Sequence, residues 1–388
     1  MIYFLVVIFL FILFYIFDVL KKTDGSNFFW FLSFAVIALL AGLRYKVGGD
    51  TFAYLNNYEN YPSFFEFSSF DFENAPYEIF WYVFCAVCKI FSNSYFFMQI
   101  IHAIVVNIIY FYFIHKYVKY RFLGVLLYFI FGFLYFNTEI MREALSVGVF
   151  LLSLDSFYEK KWIRYFIFAA IAFLFHSSAL ILVIFPFFQM IQLNKFFLIS
   201  VLVILIISNI LWQVFNDYIQ YFDAISTVGN KVNSYLDNDE YIYNINGMIR
   251  SIFTYFFVPF LFAVFAFRTT NQENKETPFL WLYIVFGIFT IFNQVVFSRL
   301  QNYLFFPFIV YISNICYEVA ENRISKQVLV KDVKIVVLFV FLFIGRYYSF
   351  FKLDLYDDAY VYQRYFPYYS IITEKTSPAR ASLEYYGQ

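Results

Sequence analysis

Two cations, a glycine pair and a carboxylate fall within Arg44-Tyr45-Lys46-Val47-Gly48-Gly49-Asp50. Glycines free the backbone to turn its N–H groups toward a ligand, and cations beside them make such a loop a place for an anion. Arg44, Arg142, Arg250 and Arg299 each lie near an end of an apolar run. A guanidinium meets phosphate oxygens through two parallel hydrogen bonds, so arginines gathered at one level would suit a mono- or diphosphate group. Taken singly, each also fits a structural role: snorkelling to the interface or, for Arg142, pairing with Glu139 or Glu143. Two residues could move a proton beside such a group. His176, in Phe175-His176-Ser177-Ser178, titrates near neutral pH. Asp50, next to two cations, is favoured in its ionised form. Either could take the proton of a sugar hydroxyl attacking an activated anomeric carbon, and the sequence leaves open which. Their plainer readings are a helix cap for His176 and a turn residue paired to Lys46 or Arg44 for Asp50. Tyr45 and Tyr54, with nearby Asn56, Asn57 and Tyr58, suit sugar rings through stacking and hydrogen bonds, although interfacial tyrosine belts are equally ordinary.

Other chemistries lack their motifs. No P-loop, dinucleotide fingerprint, zinc-protease HExxH or Gly-x-Ser-x-Gly elbow occurs. Cys85 and Cys88 form a C-x-x-C, but within the apolar stretch Ile79–Phe91, where they read as small packing residues rather than a redox or metal pair. Lys and Arg balance Asp and Glu at 27 each, which argues against a nucleic-acid partner.

The elements that must position these residues are membrane helices. The 388-residue chain is 63% hydrophobic and 14% charged, against about 25% charged in soluble domains. Continuous apolar runs of helix length predict an all-α, polytopic integral membrane protein, a single domain over residues 1–388. The first run lacks a charged leading region and a small-residue cleavage site, and reads as a retained helix. Lys21-Lys22, Lys116/Lys119/Arg121, Lys160/Lys161/Arg164, Arg268/Lys275 and Arg323/Lys326/Lys331/Lys334 mark cytoplasmic turns. Loops of about 44–76 and 216–247, and a tail of about 351–388, are expected outside. Crossing parity then makes the short run 77–91 re-entrant or interfacial and 96–114 the crossing helix. It also divides the long run 161–190 at His176, which places that residue at an outward apex. The expected count is about 12 transmembrane helices. Arg299 is expected in a tight Ser298-Arg299 turn between two apolar runs.

Three segments, taken together, resemble the EpsG family of Wzy-like polysaccharide polymerases. Arg44-Tyr45-x-Val47-Gly48-x-Asp50-x-x-x-Tyr54 is similar to the family's R-Y-x-V-G-x-D-Y-x-x-Y, with Thr51 where the family has tyrosine. Met141-Arg142-Glu143-Ala144-Leu145 is followed by an apolar helix and a basic turn. Leu174-Phe175-His176-Ser177-Ser178-Ala179-Leu180 is similar to L-F-H-x-S-A-L, and Arg299-Leu300-x-x-Tyr303 is a weaker fourth match. The resemblance implies a GT-C-like glycosyltransferase of the bacterial inner (cytoplasmic) membrane. It would join undecaprenyl-pyrophosphate-linked oligosaccharide repeat units on the outer face, for O-antigen, capsule or exopolysaccharide, without a metal or other cofactor. Arg44, Arg142, Arg250 and Arg299 would then hold pyrophosphate, and Tyr45, Tyr54 and Tyr303 the sugars. Its partners would be the lipid-linked glycan, membrane lipid, a chain-length regulator and other assembly proteins. A flippase or exporter of the same lipid-linked glycan, or a membrane acyltransferase acting on surface glycans, are the alternatives.

Overall fold

The computed structural model describes residues 2–72, 75–223, 248–249, 251–269, 275–321, 354–356, 360–362, 364–375 and 380. Apolar runs become helices because a chain in lipid must satisfy every backbone N–H and C=O internally. In order these are α1 (Ile2–Leu13, continued by a π turn Phe14–Val19), α2 (Ser26–Gly42), α3 (Thr51–Tyr58), α4 (Ile79–Phe91), α5 (Tyr95–Tyr117) and α6 (Arg121–Phe131). A π turn, Tyr135–Glu139, leads into α7 (Met141–Tyr158), followed by α8 (Trp162–Phe175) and α9 (Lys195–Asp223). After a π turn at Ile252–Phe257 come α10 (Val258–Thr269), α11 (Thr277–Phe289) and α12 (Gln294–Glu321). Apart from one antiparallel pair of short strands, β1 (Asp354–Tyr356) and β2 (Tyr360–Tyr362), the named elements are helical.

Among the described residues four helical stretches are long and apolar enough to cross a membrane: Ile2–Val19, Tyr95–Tyr117, Lys195–Val214 and Gln294–Ala320. The remaining apolar helices among the described residues are shorter. At 1.5 Å per residue, α4 spans roughly 20 Å, less than a hydrocarbon core of ~30 Å, while α5 is long enough to cross. The long run through 161–190 does break at His176. There α8 ends, and 3-10 turns over Ser177–Val183 and Phe185–Phe188 replace it. The expected turn at Ser298-Arg299 is corrected. The turn falls at 290–293, because the Asn293 side chain accepts the Val296 N–H at 3.0 Å and caps α12. Arg299 therefore lies within the first turns of α12.

The chain forms two compact units. The first comprises Met1–Leu152, Leu174–His176 and Arg323–Gln388; the second comprises Ser153–Phe173 and Ser177–Asn322. In the first unit α2 packs on α5, and the close approach is made at Gly42. A Cβ there would sit 3.3 Å from the Ile100 backbone. Gln99 of α5 donates to the carbonyls of Gly42 and Arg44 at 2.7 and 2.8 Å, so a side chain satisfies the open end of α2. Further along α5, Asn107, Tyr128 and Asn137 close a buried triangle. Asn107 donates to Asn137, Asn137 donates to the Tyr128 hydroxyl, and Tyr128 donates to Asn107, each at 2.8 Å. The spare amide hydrogens go to the Ala103 and Phe133 carbonyls. A polar network whose side-chain donors are all used in this way fixes one arrangement of the surrounding helices. It thereby fixes the turn that carries Glu139 and leads to Arg142.

In the second unit, Phe197, Val201, Ile284, Ile288, Tyr311 and Ile315 form a buried core. Gly287 is obligatory there, since a Cβ would collide with the Tyr255 carbonyl oxygen. Gln301 donates to the Tyr283 carbonyl at 2.7 Å, tying α12 to α11.

Candidate active site

The loop after α2 is shaped by its glycines and held by an acid from another helix. Gly48 has φ +114°, and a Cβ there would lie 2.7 Å from the Thr138 side chain, so only glycine fits. The Gly49 and Asp50 N–H groups point together, as an anion-binding loop requires. Their acceptor is Glu139, whose carboxylate takes the Gly49 N–H at 2.7 Å and the Asp50 N–H at 3.2 Å. Arg364, from the tail, lies 3.7 Å from the same carboxylate. The glycine loop thus holds a protein carboxylate, and Asp50 turns its exposed side chain outward at the start of α3.

The tail is stitched along this loop. Tyr45 N–H donates to Tyr369 O at 2.8 Å, Ile371 N–H to Leu43 O at 2.9 Å and Gly48 N–H to Arg364 O at 3.1 Å. Arg44 and Ser370 form an antiparallel bridge. Tyr368 donates its hydroxyl to Leu40 O, and Tyr3 to Tyr365 O. Arg380 donates to the Phe366 and Pro367 carbonyls and lies over the Tyr369 ring.

Beneath this strap Arg44 is 1% exposed. One terminal nitrogen donates to Ala41 O and the other lies 3.6 Å from Met141 Sδ, while Nε meets no partner. Among the described residues no carboxylate comes within ion-pair distance of it. Burial pulls the guanidinium below its usual pKa, and Tyr95, Tyr368, Tyr3 and Glu139 only partly offset that. A buried cation without a counter-ion is expensive, which makes Arg44 the most conspicuous electrostatic feature of the site.

Arg142, in the first turn of α7, is held differently. Its terminal nitrogen pairs with Glu78 at 2.7 Å and its guanidinium lies 4.0 Å from the Tyr77 ring centroid. Glu78 precedes α4 and Tyr77 precedes Glu78, so the short helix supplies the partner that Glu139 or Glu143 was expected to provide. Tyr54 is buried against Trp81, with ring centroids 5.4 Å apart. Burial pushes its hydroxyl well above the ordinary tyrosine pKa, with the neighbouring Arg142 pulling the other way. Tyr45 lies 5.3 Å from Phe96, its ring also under Lys46.

His176 is buried and belongs to the same unit, its neighbour Phe175 packing on Phe80 at 5.5 Å. The break at His176 is thereby joined to the start of α4, two positions after the Glu78 that holds Arg142. Arg299 and Tyr303 belong to the second unit, where the Tyr303 hydroxyl lies 3.0 Å from Ser178 Oγ. Arg250 lies outside the described residues. The structure thus gathers Arg44, Tyr45, Asp50, Tyr54, Arg142 and His176 in one unit.

Sequence reasoning missed Glu78 and Arg364 as members of this arrangement, and Glu139 as the acceptor within the glycine loop. His102 is fully buried and donates Nε2–H to the carbonyl of Met141 at 2.9 Å, next to Arg142. Cys85 and Cys88 are free and buried within α4.

The family model for the EpsG family matches residues 27–370, most of the chain. The chain belongs to the EpsG family. Membership covers the loop after α2, the start of α7, the His176 break and the strap as far as Ser370. Neither a curated protein nor a solved structure matches the sequence. Family and apolar helices together make this a polysaccharide-polymerase-like membrane protein of glycan biosynthesis.

Proposed function

We propose that the protein is a polysaccharide polymerase of the bacterial cytoplasmic membrane. It joins oligosaccharide repeat units carried on undecaprenyl pyrophosphate, at the outer face. The observation that carries this reading is Arg44: a buried guanidinium, unmatched by any carboxylate among the described residues, touching the residue before a second guanidinium at Arg142. Pyrophosphate is the anion such a pair suits. Guanidiniums aimed at the leaving group stabilise the charge that grows on it as the glycosidic bond breaks. Arg250 and Arg299 are carried in this proposal from the sequence reading alone.

The reaction is a displacement at the anomeric carbon. The acceptor hydroxyl forms the new C–O bond, undecaprenyl pyrophosphate departs with the electrons of the old one, and the hydroxyl proton goes to His176 or Asp50. Tyr45, beside the glycine loop, is proposed to meet the sugar, and Tyr54 and Tyr303 are carried as sugar contacts on the sequence resemblance alone. About 12 crossings with a GT-C-like arrangement, both ends outside, fit this scheme. The backbone pairing of Tyr45 and Leu43 with Tyr369 and Ile371 supports it, because loop and tail must then share a face.

The test is polymer length in cells. Deletion should leave surface glycan as single repeat units, whereas loss of a flippase would leave none outside. Arg44→Ala, Arg142→Ala and His176→Ala proteins, matched for membrane level, should reproduce the single-unit phenotype. Full-length polymer from Arg44→Ala or Arg142→Ala would overturn the assignment of the anion site, and comparing His176→Ala with Asp50→Asn identifies the base.

A further inference from the structure

A second cation-lined place lies at the other end of α2. The 17 residues of that helix separate Ser26 from Gly42 by about 25 Å, close to the thickness of a bilayer core. Beside Ser26, between the π turn after α1 and the α5–α6 turn, is a cavity of about 450 Å³. Lys21, Lys22, Lys119 and Arg121 line it, and Ser26 and Asn27 add neutral donors. Its one carboxylate, Asp18, is buried and accepts the Leu123 N–H at 2.8 Å. That acid is engaged at the start of α6, and the described lining holds four cations and one carboxylate.

The site is built rather than incidental. Arg121 bonds Ser26 Oγ and lies over the rings of Trp30 at 5.3 Å and Phe122 at 5.4 Å, so its position is fixed from three sides. Lys21 adopts φ +54°, a left-handed conformation that costs a residue with a Cβ and that tends to persist at functional sites. The N-termini of α2 and α6 both end at the cavity, and their dipoles add positive potential. Leu20 and Phe28, next in sequence to the lining residues Lys21 and Asn27, are exposed apolar side chains. A soluble anion would have no use for them; the chains of a lipid would lie against them.

We propose that this cavity binds the phosphate of an anionic phospholipid headgroup, in the leaflet where the basic turns lie. Basic pockets between membrane helices on the cytoplasmic side hold such headgroups through Coulombic attraction and phosphate hydrogen bonds. The site stands apart from the reaction proposed above, and neither depends on the other.

The test follows the thermal unfolding midpoint of the detergent-purified protein during titration with short-chain phosphatidylglycerol, phosphatidylcholine or glycerol phosphate. Phosphatidylglycerol should raise the midpoint saturably, and phosphatidylcholine should not. A Lys21→Gln/Lys22→Gln/Lys119→Gln variant removes only exposed side chains. It should keep the lipid-free midpoint and need at least about tenfold more phosphatidylglycerol, since each juxtamembrane lysine contributes about fivefold. Lys160→Gln/Lys161→Gln, in another basic turn, should titrate like the wild type. The proposal is overturned if phosphatidylcholine acts equally, if the triple variant titrates unchanged, or if the control loses as much. Glycerol phosphate acting at the same concentration as the lipid would overturn the lipid assignment in favour of a soluble phosphate.

Discussion

Replacing Arg44 with methionine should make the empty protein more stable and less active. Methionine keeps much of the unbranched stem and removes the charge. The wild-type side chain is buried, with one hydrogen bond to Ala41 O, a sulfur contact at Met141 and an idle Nε. Burying an ion costs several kcal/mol after relaxation, and a charge-assisted hydrogen bond returns about 1.5–3 kcal/mol. The substitution should therefore stabilise by about 1–3 kcal/mol, a shift of a few degrees in the unfolding midpoint. Two assays read it: thermal unfolding in detergent, with and without inorganic pyrophosphate, and polymer length in cells. Pyrophosphate should raise the wild-type midpoint and leave that of Arg44→Met unmoved, because a ligand stabilises only a state that binds it. A lower midpoint for Arg44→Met without ligand would refute the reasoning, since the charge would then be compensated from within the protein.

Other expectations follow from named contacts. Arg142→Lys keeps a charge but loses the flat guanidinium held by Glu78 and Tyr77, so polymer synthesis should fall at least about tenfold at equal membrane level. Asn137→Leu opens the buried triangle and leaves Asn107 and Tyr128 short of a partner; the unfolding free energy should drop by about 1–3 kcal/mol. Glu276, buried before α11, has its carboxyl raised by burial to about 7 from an ordinary 4.5, against the opposing Tyr158 and Lys275 and with Glu318 adding to the rise. The folded state thus keeps a proton that the unfolded state has lost. Stability should fall by about 3 kcal/mol as pH rises from 4.5 to 7 and level off above that. Glu276→Gln should remove this dependence from midpoints measured across that range.

Local features were legible in the sequence wherever one segment decides them. The end of α2 before Arg44, the crossing length of α5 and the break at His176 all follow from apolar run length and punctuation by Gly, His and Ser. Features made by distant segments were not. Glu78 lies 64 positions from Arg142 and Glu139 lies 90 from Gly49, and nearer acids offered themselves as partners. The glycine loop read as open to an external anion, because nothing local shows that Glu139 fills it. The turn at 290–293 was hidden by apolar residues on both sides, and Arg299, the only charge nearby, drew the boundary toward itself.

The strap over Arg44 also orders the making of the protein. Tyr368 reaches back 328 positions to Leu40, and the tail's carbonyls and N–H groups complete the backbone bonding of the loop that follows α2. A chain emerging from the ribosome reaches Arg44 long before it reaches the strap. Until then the loop lacks the edge with which Tyr45 and Gly48 pair. The cover over Arg44 is therefore completed only when the strap pairs with the loop. A chain that stops before the strap carries Arg44, Asp50, Arg142 and His176, yet lacks the segment that covers Arg44. An unsealed first loop is thus the mark of a chain whose strap has yet to pair with it.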